Sequence, residues 1–418
     1  MTVYTKRSFL HAMGAGVAAL ASLRLAGAQE APIKIGTSMA LSGPLAGGGR
    51  QSQLALQMWA EDINSRGGLL GRKVEIIGYD DQANPSLTPG IFSRLVDLDK
   101  VDLLIAPYGT VPAAAIMPFA KERRLLVIGH IGYQINSKAK HEMWFNNSPW
   151  SDAESWVGGY FRLGKSAGVK KVAFLAADQE FSQNILAGAK TLAKNAGFET
   201  VYEQSYPPTT ADFSAMIRAI RAATPDMVFV ASYPADSTAI IRAVNEIGVG
   251  SSVKVFGGAM VGLQYATVMQ ALGSQLNGVV NYHTYVPEKT MAFPGIHDFL
   301  DRFAKRAPEA KVETLGYYVA PFAYASAQIL ERAVTATKSL KHDVLADYLR
   351  KNEVSTLVGP IRWGADGEWA NPRVVLIQFR GIKDGDLEQF RQQGKQIIIE
   401  PEQFRTGEFI PFQEARRR

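Results

Sequence analysis

Apolar residues recur along the chain at two different spacings. Short runs such as Ile33 to Ser38 and Lys73 to Tyr79 read as strands, while Leu54, Met58 and Ile63 between them fall on one face of a helix. The stretch from Ile33 to Thr110 therefore predicts strand, Gly-rich loop, helix, strand, helix and strand, linked by βαβ crossovers. Asn64, Gly67, Gly68 and Gly71 tolerate positive φ and mark the end of the first helix.

The alternation continues beyond Thr110. Strands are predicted at Leu125 to Gly129, Lys171 to Ala176, Thr200 to Ser205, Met227 to Ala231, Val253 to Phe256, Val279 to Thr284 and Val374 to Phe379. Helices are predicted at Val111 to Glu122, Ser151 to Lys165, Phe181 to Ala196, Phe213 to Ala222, Ser237 to Ile247, Phe293 to Arg306, Gly316 to Thr337 and Asp343 to Lys351. Such a pattern specifies the α/β class, with parallel sheets covered on both faces. A chain of 418 residues is long for one core, so two lobes are expected.

Composition changes the picture at the N-terminus. Lys6-Arg7, a small apolar run from Ala12 to Leu23 and then Ala26-Gly27-Ala28 have the order of an export signal with its cleavage site, so residues 1–28 read as a signal peptide. The run is far short of the roughly 20 residues that span a bilayer. Lys6 stands where a twin-arginine signal has its first arginine, which leaves both export routes open. Removing this segment takes away Lys6, Arg7 and Arg24 and lowers the formal net charge from +6 to +3. No Lys/Arg stripe is interleaved with aromatics, so nucleic acid is not an expected partner. With no cysteine, the chain holds no disulfide, thiolate metal site or lipidated cysteine. A freely soluble, monomeric periplasmic protein is expected.

In open parallel sheets a ligand sits beyond the carboxyl ends of the strands, where helix N-termini point free N–H groups. The loops Ser42 to Arg50, Pro107 to Val111 and Gly129 to Tyr133 qualify. In the second, with Tyr108 and Gly109, Pro112 suits the start of a helix and places Thr110 at its entrance. A hydroxyl there either caps its own helix or meets a ligand carboxylate. Gly47-Gly48-Gly49 lacks phosphate-loop spacing and reads as a roomy pocket rim. No nucleophile elbow, P-loop, dinucleotide fingerprint or zinc-helix motif occurs, and His141-Glu142 points its two side chains apart. No enzyme activity, cofactor or metal is expected.

Four segments, in order, carry a resemblance: ALSGPLA after the first strand, EDINSRGGLLGRKVEI, YDDQANP, and IAPYGTVPAAAIMP after the third strand. Together they resemble the periplasmic binding proteins of the leucine/isoleucine/valine ABC-importer family. The resemblance implies two Rossmann-like lobes joined by a three-strand hinge, the type I periplasmic binding fold. Crossovers are implied near Ser148 to Asp152, Tyr282 to Tyr285 and Leu357 to Arg362. Lobe one would be residues 29–149 and 284–357, and lobe two 150–283 and 358–418. It further implies ABC permease subunits in the inner membrane as partners.

For the site, the resemblance gives Thr110 the ligand carboxylate and gives its other side to backbone groups of His130, Ile131 and Gly132. His130 stands in for a hydroxyl the family has near Gly132. Trp150, Phe181, Tyr233 and Met260 fall at the loops from which the opposing lobe closes. Met260 also occupies the place of the acid that holds an α-ammonium, and the first loop, with its three glycines, lacks the usual aromatic. A buried ammonium without a carboxylate is costly. The expected ligand is therefore a small carboxylate without an α-amine, aromatic or aliphatic, with amides as the lesser option and Asp152, Asp178 or Asp236 as substitute acids. A ligand-sensing receptor domain for a signalling or amide-responsive system is the alternative function.

Overall fold

The computed structural model describes residues 30–417, so the expected export signal lies outside the described residues. The first sheet comprises β1 (Ile33–Met39), β2 (Val74–Asp80), β3 (Leu103–Tyr108), β4 (Val127–His130) and β5 (Trp144–Phe145), in the order β2-β1-β3-β4-β5 and all parallel. The second contains β6 (Lys171–Ala177), β7 (Glu199–Tyr206), β8 (Met227–Ser232), β9 (Val255–Met260) and β10 (Val280–His283). A hairpin follows, β11 (Val354–Thr356) with β12 (Gly359–Ile361). β13 (Val375–Phe379) and β14 (Gln396–Glu400) then extend the second sheet antiparallel, giving the order β14-β13-β10-β9-β8-β6-β7. The central strands β3 and β8 are buried along their whole length, as expected for strands with helices on both faces. Among the described residues no helix is long and apolar enough to cross a membrane.

Segments distant in sequence complete the first sheet. The helix Ala320–Thr337 packs on the helix Ala46–Ser65, where the Trp59 indole donates to Glu331 Oε2 at 2.9 Å. Arg302 grips Asp62 with two hydrogen bonds of 2.9 Å, and Tyr324 donates to the same carboxylate. A bidentate guanidinium pair fixes orientation better than a lysine would. Asp62 and Trp59 belong to the predicted first helix, so the amphipathic pattern carries both its apolar and its charged docking points.

Three features differ from expectation. Gly47, Gly48 and Gly49 are not a loop but the first turns of the helix Ala46–Ser65, and they leave no roomy rim. A Cβ on Gly49 would lie 2.0 Å from the Ala40 carbonyl oxygen, and one on Gly48 2.5 Å from the Tyr108 ring, so these positions are small because they are tightly packed. The chain also stays with the first sheet past Leu357 to Arg362. Trp363 donates to the Asn146 carbonyl at 2.7 Å, and Asn146 N–H donates to Gly367 at 2.8 Å. Only with β13 does it reach the second sheet, beside a junction where Arg373 N–H donates to Pro149 and its guanidinium to Val358 and Pro360 carbonyls. Lastly, β5 and β14 were not expected. The C-terminal residues finish the second sheet, with the Phe412 ring 5.2 Å from Phe256 and Phe412 N–H bonded to Lys254.

Candidate functional site

A cavity of about 560 Å³ opens between the carboxyl ends of the two sheets. Three helices begin on its wall: Thr110–Glu122 after Gly109, Glu180–Asn195 after Gln179, and Pro234–Ile247 after Tyr233. None of the three starts is capped by a side chain. Their positive dipole ends face the cavity, with the Phe181 amide turned to the Tyr233 hydroxyl and the amides of Asp236 and Ser237 to the Asp236 carboxylate.

Local sequence explains the first entrance. Gly109 has φ 97°, which a side chain would resist, and it turns β3 directly into its helix. Thr110 follows, and its Oγ1 accepts from Tyr133 N–H at 3.1 Å. That bond uses a lone pair, so the hydroxyl hydrogen is left to donate to a ligand. Next to it Ile131 borders the cavity with φ 48°, a left-handed conformation that costs a β-branched residue about 1–2 kcal/mol. Neighbours hold it there, with Ile131 N–H on Asn147 and Gly132 N–H on Ser148 Oγ at 3.0 Å.

Aromatic rings form the opposite wall. Trp150 and Trp156 stack with centroids 3.8 Å apart and planes 10° from parallel. Phe181 leans on Trp156 at 5.2 Å, and Tyr233 meets Phe181 edge-on at 5.7 Å. These rings bury apolar area with few rotors to freeze. Tyr318 borders the cavity from the other side, at 6.3 Å from Tyr108. Among the described residues no Lys or Arg lines the cavity.

The structure thus brings together Tyr108, Gly109, Thr110, Ile131, Trp150, Phe181 and Tyr233 on one cavity. It sets His130, Gly132 and Met260 apart from the wall. His130 is fully buried with Nε2 2.7 Å from Ser52 Oγ, and burial pushes its pKa down to about 3, so it stays neutral and inside the core. The Gly132 carbonyl already accepts from Asn146, Ser148 and the Trp150 indole. Met260 is fully buried, its backbone paired twice with the Asn281 side chain, and Val261 takes the wall position. Sequence reasoning did not single out Trp156, Gln179 or Tyr318. Trp156 lies in an amphipathic helix, where its spacing is that of any core residue. Asp236, kept only as a substitute acid, lies on the wall, whereas Asp152 and Asp178 do not line it.

Tyr265 lies over Gly47, where a Cβ would come 3.6 Å from its ring, and its hydroxyl meets that of Tyr108 at 2.9 Å.

Known proteins share the family and the fold. The family described as periplasmic binding protein matches residues 32–386. The Leu/Ile/Val-binding protein homolog 7 of Brucella suis biovar 1 is 27% identical over 312 residues, 72% of this chain and 76% of that protein. Among solved structures, the solute-binding protein of an R. palustris ABC transporter in complex with 4-hydroxybenzoate superposes with a TM-score of 0.73 at 18% identity, covering 91% of this chain and 98% of that one. The branched-chain amino acid transporter substrate-binding protein of Streptococcus pneumoniae in complex with isoleucine gives 0.73 at 17% identity, over 88% and 100% of the two chains. The chain belongs to the periplasmic binding protein family and has the type I fold of its Leu/Ile/Val-binding branch.

Proposed function

We propose that the protein is the periplasmic substrate-binding component of an ABC importer and that it captures a small aromatic or aliphatic carboxylate without an α-amine by hinge closure. One lobe would be built on the first sheet, with residues up to Pro149 and from Thr284 to about Trp369, and the other on the second sheet. Export by the N-terminal signal and delivery to inner-membrane permease subunits complete the role. The observation that carries the reading is the junction of three uncapped helix starts and the Thr110 hydroxyl with a wall of stacked aromatic rings. The helix-start donors and the Thr110 hydroxyl suit a carboxylate, the rings suit a flat apolar body, and the wall acid Asp236 stands on the second sheet's side, away from Thr110. Met260, at the place of the family's ammonium-binding acid, is buried behind the wall, and the apolar Val261 borders the cavity there. The ligands of the R. palustris and S. pneumoniae proteins both carry a carboxylate.

A thermal-shift panel of amino acids, benzoate-type and phenylpropenoid acids, keto acids and short amides tests this. Aromatic acids are expected to raise the melting temperature most, since a ligand at a hundred times its Kd adds about 2.7 kcal/mol to the native state. Stabilisation by branched-chain amino acids alone would overturn the reading.

Closure itself has a separate test in the tyrosine pair. Tyr265→Phe removes one partner of the Tyr108 hydroxyl, leaving it Tyr318, and is expected to weaken aromatic-acid binding about threefold to tenfold. Small-angle scattering should also show a larger ligand-free protein. Unchanged affinity and dimensions would remove the pair from the closing motion.

A further inference from the structure

The cavity wall on the second sheet contains a buried carboxylate with one acceptor unspent. Asp236 sits in the first turn of the helix Pro234–Ile247 and is 8% exposed. Tyr206 donates its hydroxyl to Oδ2 at 2.5 Å, which fixes the side chain, while Oδ1 is buried with no partner. Burial raises the Asp236 pKa, and the Tyr206 hydroxyl and the amides at the helix start draw it part of the way back. Among the described residues no Lys or Arg lines the cavity to answer this group. A buried acceptor left unpaired is a cost that a ligand donor removes.

We propose that Asp236 is a specificity-determining residue that accepts a hydrogen bond from a hydroxyl group on the ligand, at the end remote from its carboxylate. The proposal rests on the carboxylate reading above and adds the second polar group. Thr110 belongs to the first sheet's side of the cavity and Asp236 to the second's, so the two groups they serve must lie on opposite ends of the ligand. An α-ammonium sits one carbon from its carboxylate, so it meets Asp236 only where the carboxylate itself lies close to the second sheet's side. A hydroxyl across an aromatic ring reaches the far wall, and the rings of Phe181 and Tyr233 flank the path between.

Calorimetry with benzoate, 4-hydroxybenzoate and leucine on the mature protein, on Asp236→Ala and on Asp236→Asn tests the assignment. The unaltered protein should bind 4-hydroxybenzoate roughly tenfold or more tighter than benzoate. Asp236→Ala should lose that preference, its loss of 4-hydroxybenzoate affinity exceeding any change in its benzoate affinity. Asp236→Asn leaves Tyr206 an acceptor and so protects the fold, yet it removes the charge that strengthens the bond to the ligand hydroxyl, so the preference should shrink. Equal binding of the two acids by the unaltered protein, or equal losses for both acids in the variants, overturns the proposal alone. Binding of neither acid overturns the carboxylate reading and the proposal with it. Leucine binding that disappears in Asp236→Asn would assign Asp236 to an ammonium instead.

Discussion

Replacing Thr110 with valine raises the dissociation constant for the aromatic acid that gives the largest thermal shift by roughly tenfold to a hundredfold. The estimate is that of one hydrogen bond to a charged group, about 1.5–3 kcal/mol. Valine keeps the β-branched shape at the helix entrance, so packing there is preserved. What disappears is the hydroxyl that accepts from Tyr133 N–H and is free to donate into the cavity. Loss of the acceptor for Tyr133 also loosens the loop after β4, which bears the strained Ile131. Calorimetry measures the affinity and chemical denaturation separates it from folding. Unchanged affinity would confine Thr110 to a structural role at the helix start.

Glu368→Gln is expected to stabilise the protein progressively as pH rises. Glu368 lies in the segment that holds the chain to the first sheet before it crosses to β13. It is 4% exposed and accepts from Asn146 Nδ2 at 2.7 Å, while its other oxygen has no partner. Burial pushes its pKa up to about 8, with the Asn146 bond opposing and nearby Asp366 adding to the rise. The folded form therefore keeps a proton that the unfolded chain releases near pH 4.5. Stability tied to this group is present below the unfolded value and is lost as pH rises through the folded one. Glutamine carries no such charge. The variant should match the parent near pH 4.5 and gain on it by roughly 1.4 kcal/mol per pH unit up to about pH 8. Urea titrations at three pH values within that window measure the difference. A difference that does not change with pH would place a proton-independent effect at the site.

Much of the fold was legible because burial leaves a mark on composition. β3 and β8, covered on both faces, appear as unbroken apolar runs, and the glycines after the first helix announce a turn. A Cβ on Gly68 would lie 1.9 Å from the Arg72 carbonyl oxygen, so that motif encodes a close approach within one turn. Gly48 and Gly49 look the same in sequence, but their need for smallness comes from Tyr108 and Ala40, residues brought there only by the fold. Local reading took them for a loop. β14 was missed although Ile397, Ile398 and Ile399 are apolar, because the strand pairs with β13 across an irregular connection that no periodicity foretells.

The site divides along the same line. Gly109 and Thr110 were readable because backbone conformation and helix entry are local. The resemblance placed His130 on the ligand in place of a missing hydroxyl, yet its partner Ser52 lies far away in the chain and holds it in the core. Of the three acids considered, sequence had no means to tell that Asp236 faces the cavity, since that depends on which side of a helix turn meets Tyr206.

The Trp150–Trp156 stack has an optical consequence. Two indoles this close and this nearly parallel couple their electronic transitions, and the coupling depends steeply on their separation and angle. The pair borders the cavity, and Trp150 is tethered to the loop after β4 while Trp156 belongs to a helix of the second sheet. Any ligand that shifts one sheet relative to the other must disturb this coupling. Near-ultraviolet circular dichroism then becomes a label-free record of occupancy, carried by the unmodified chain.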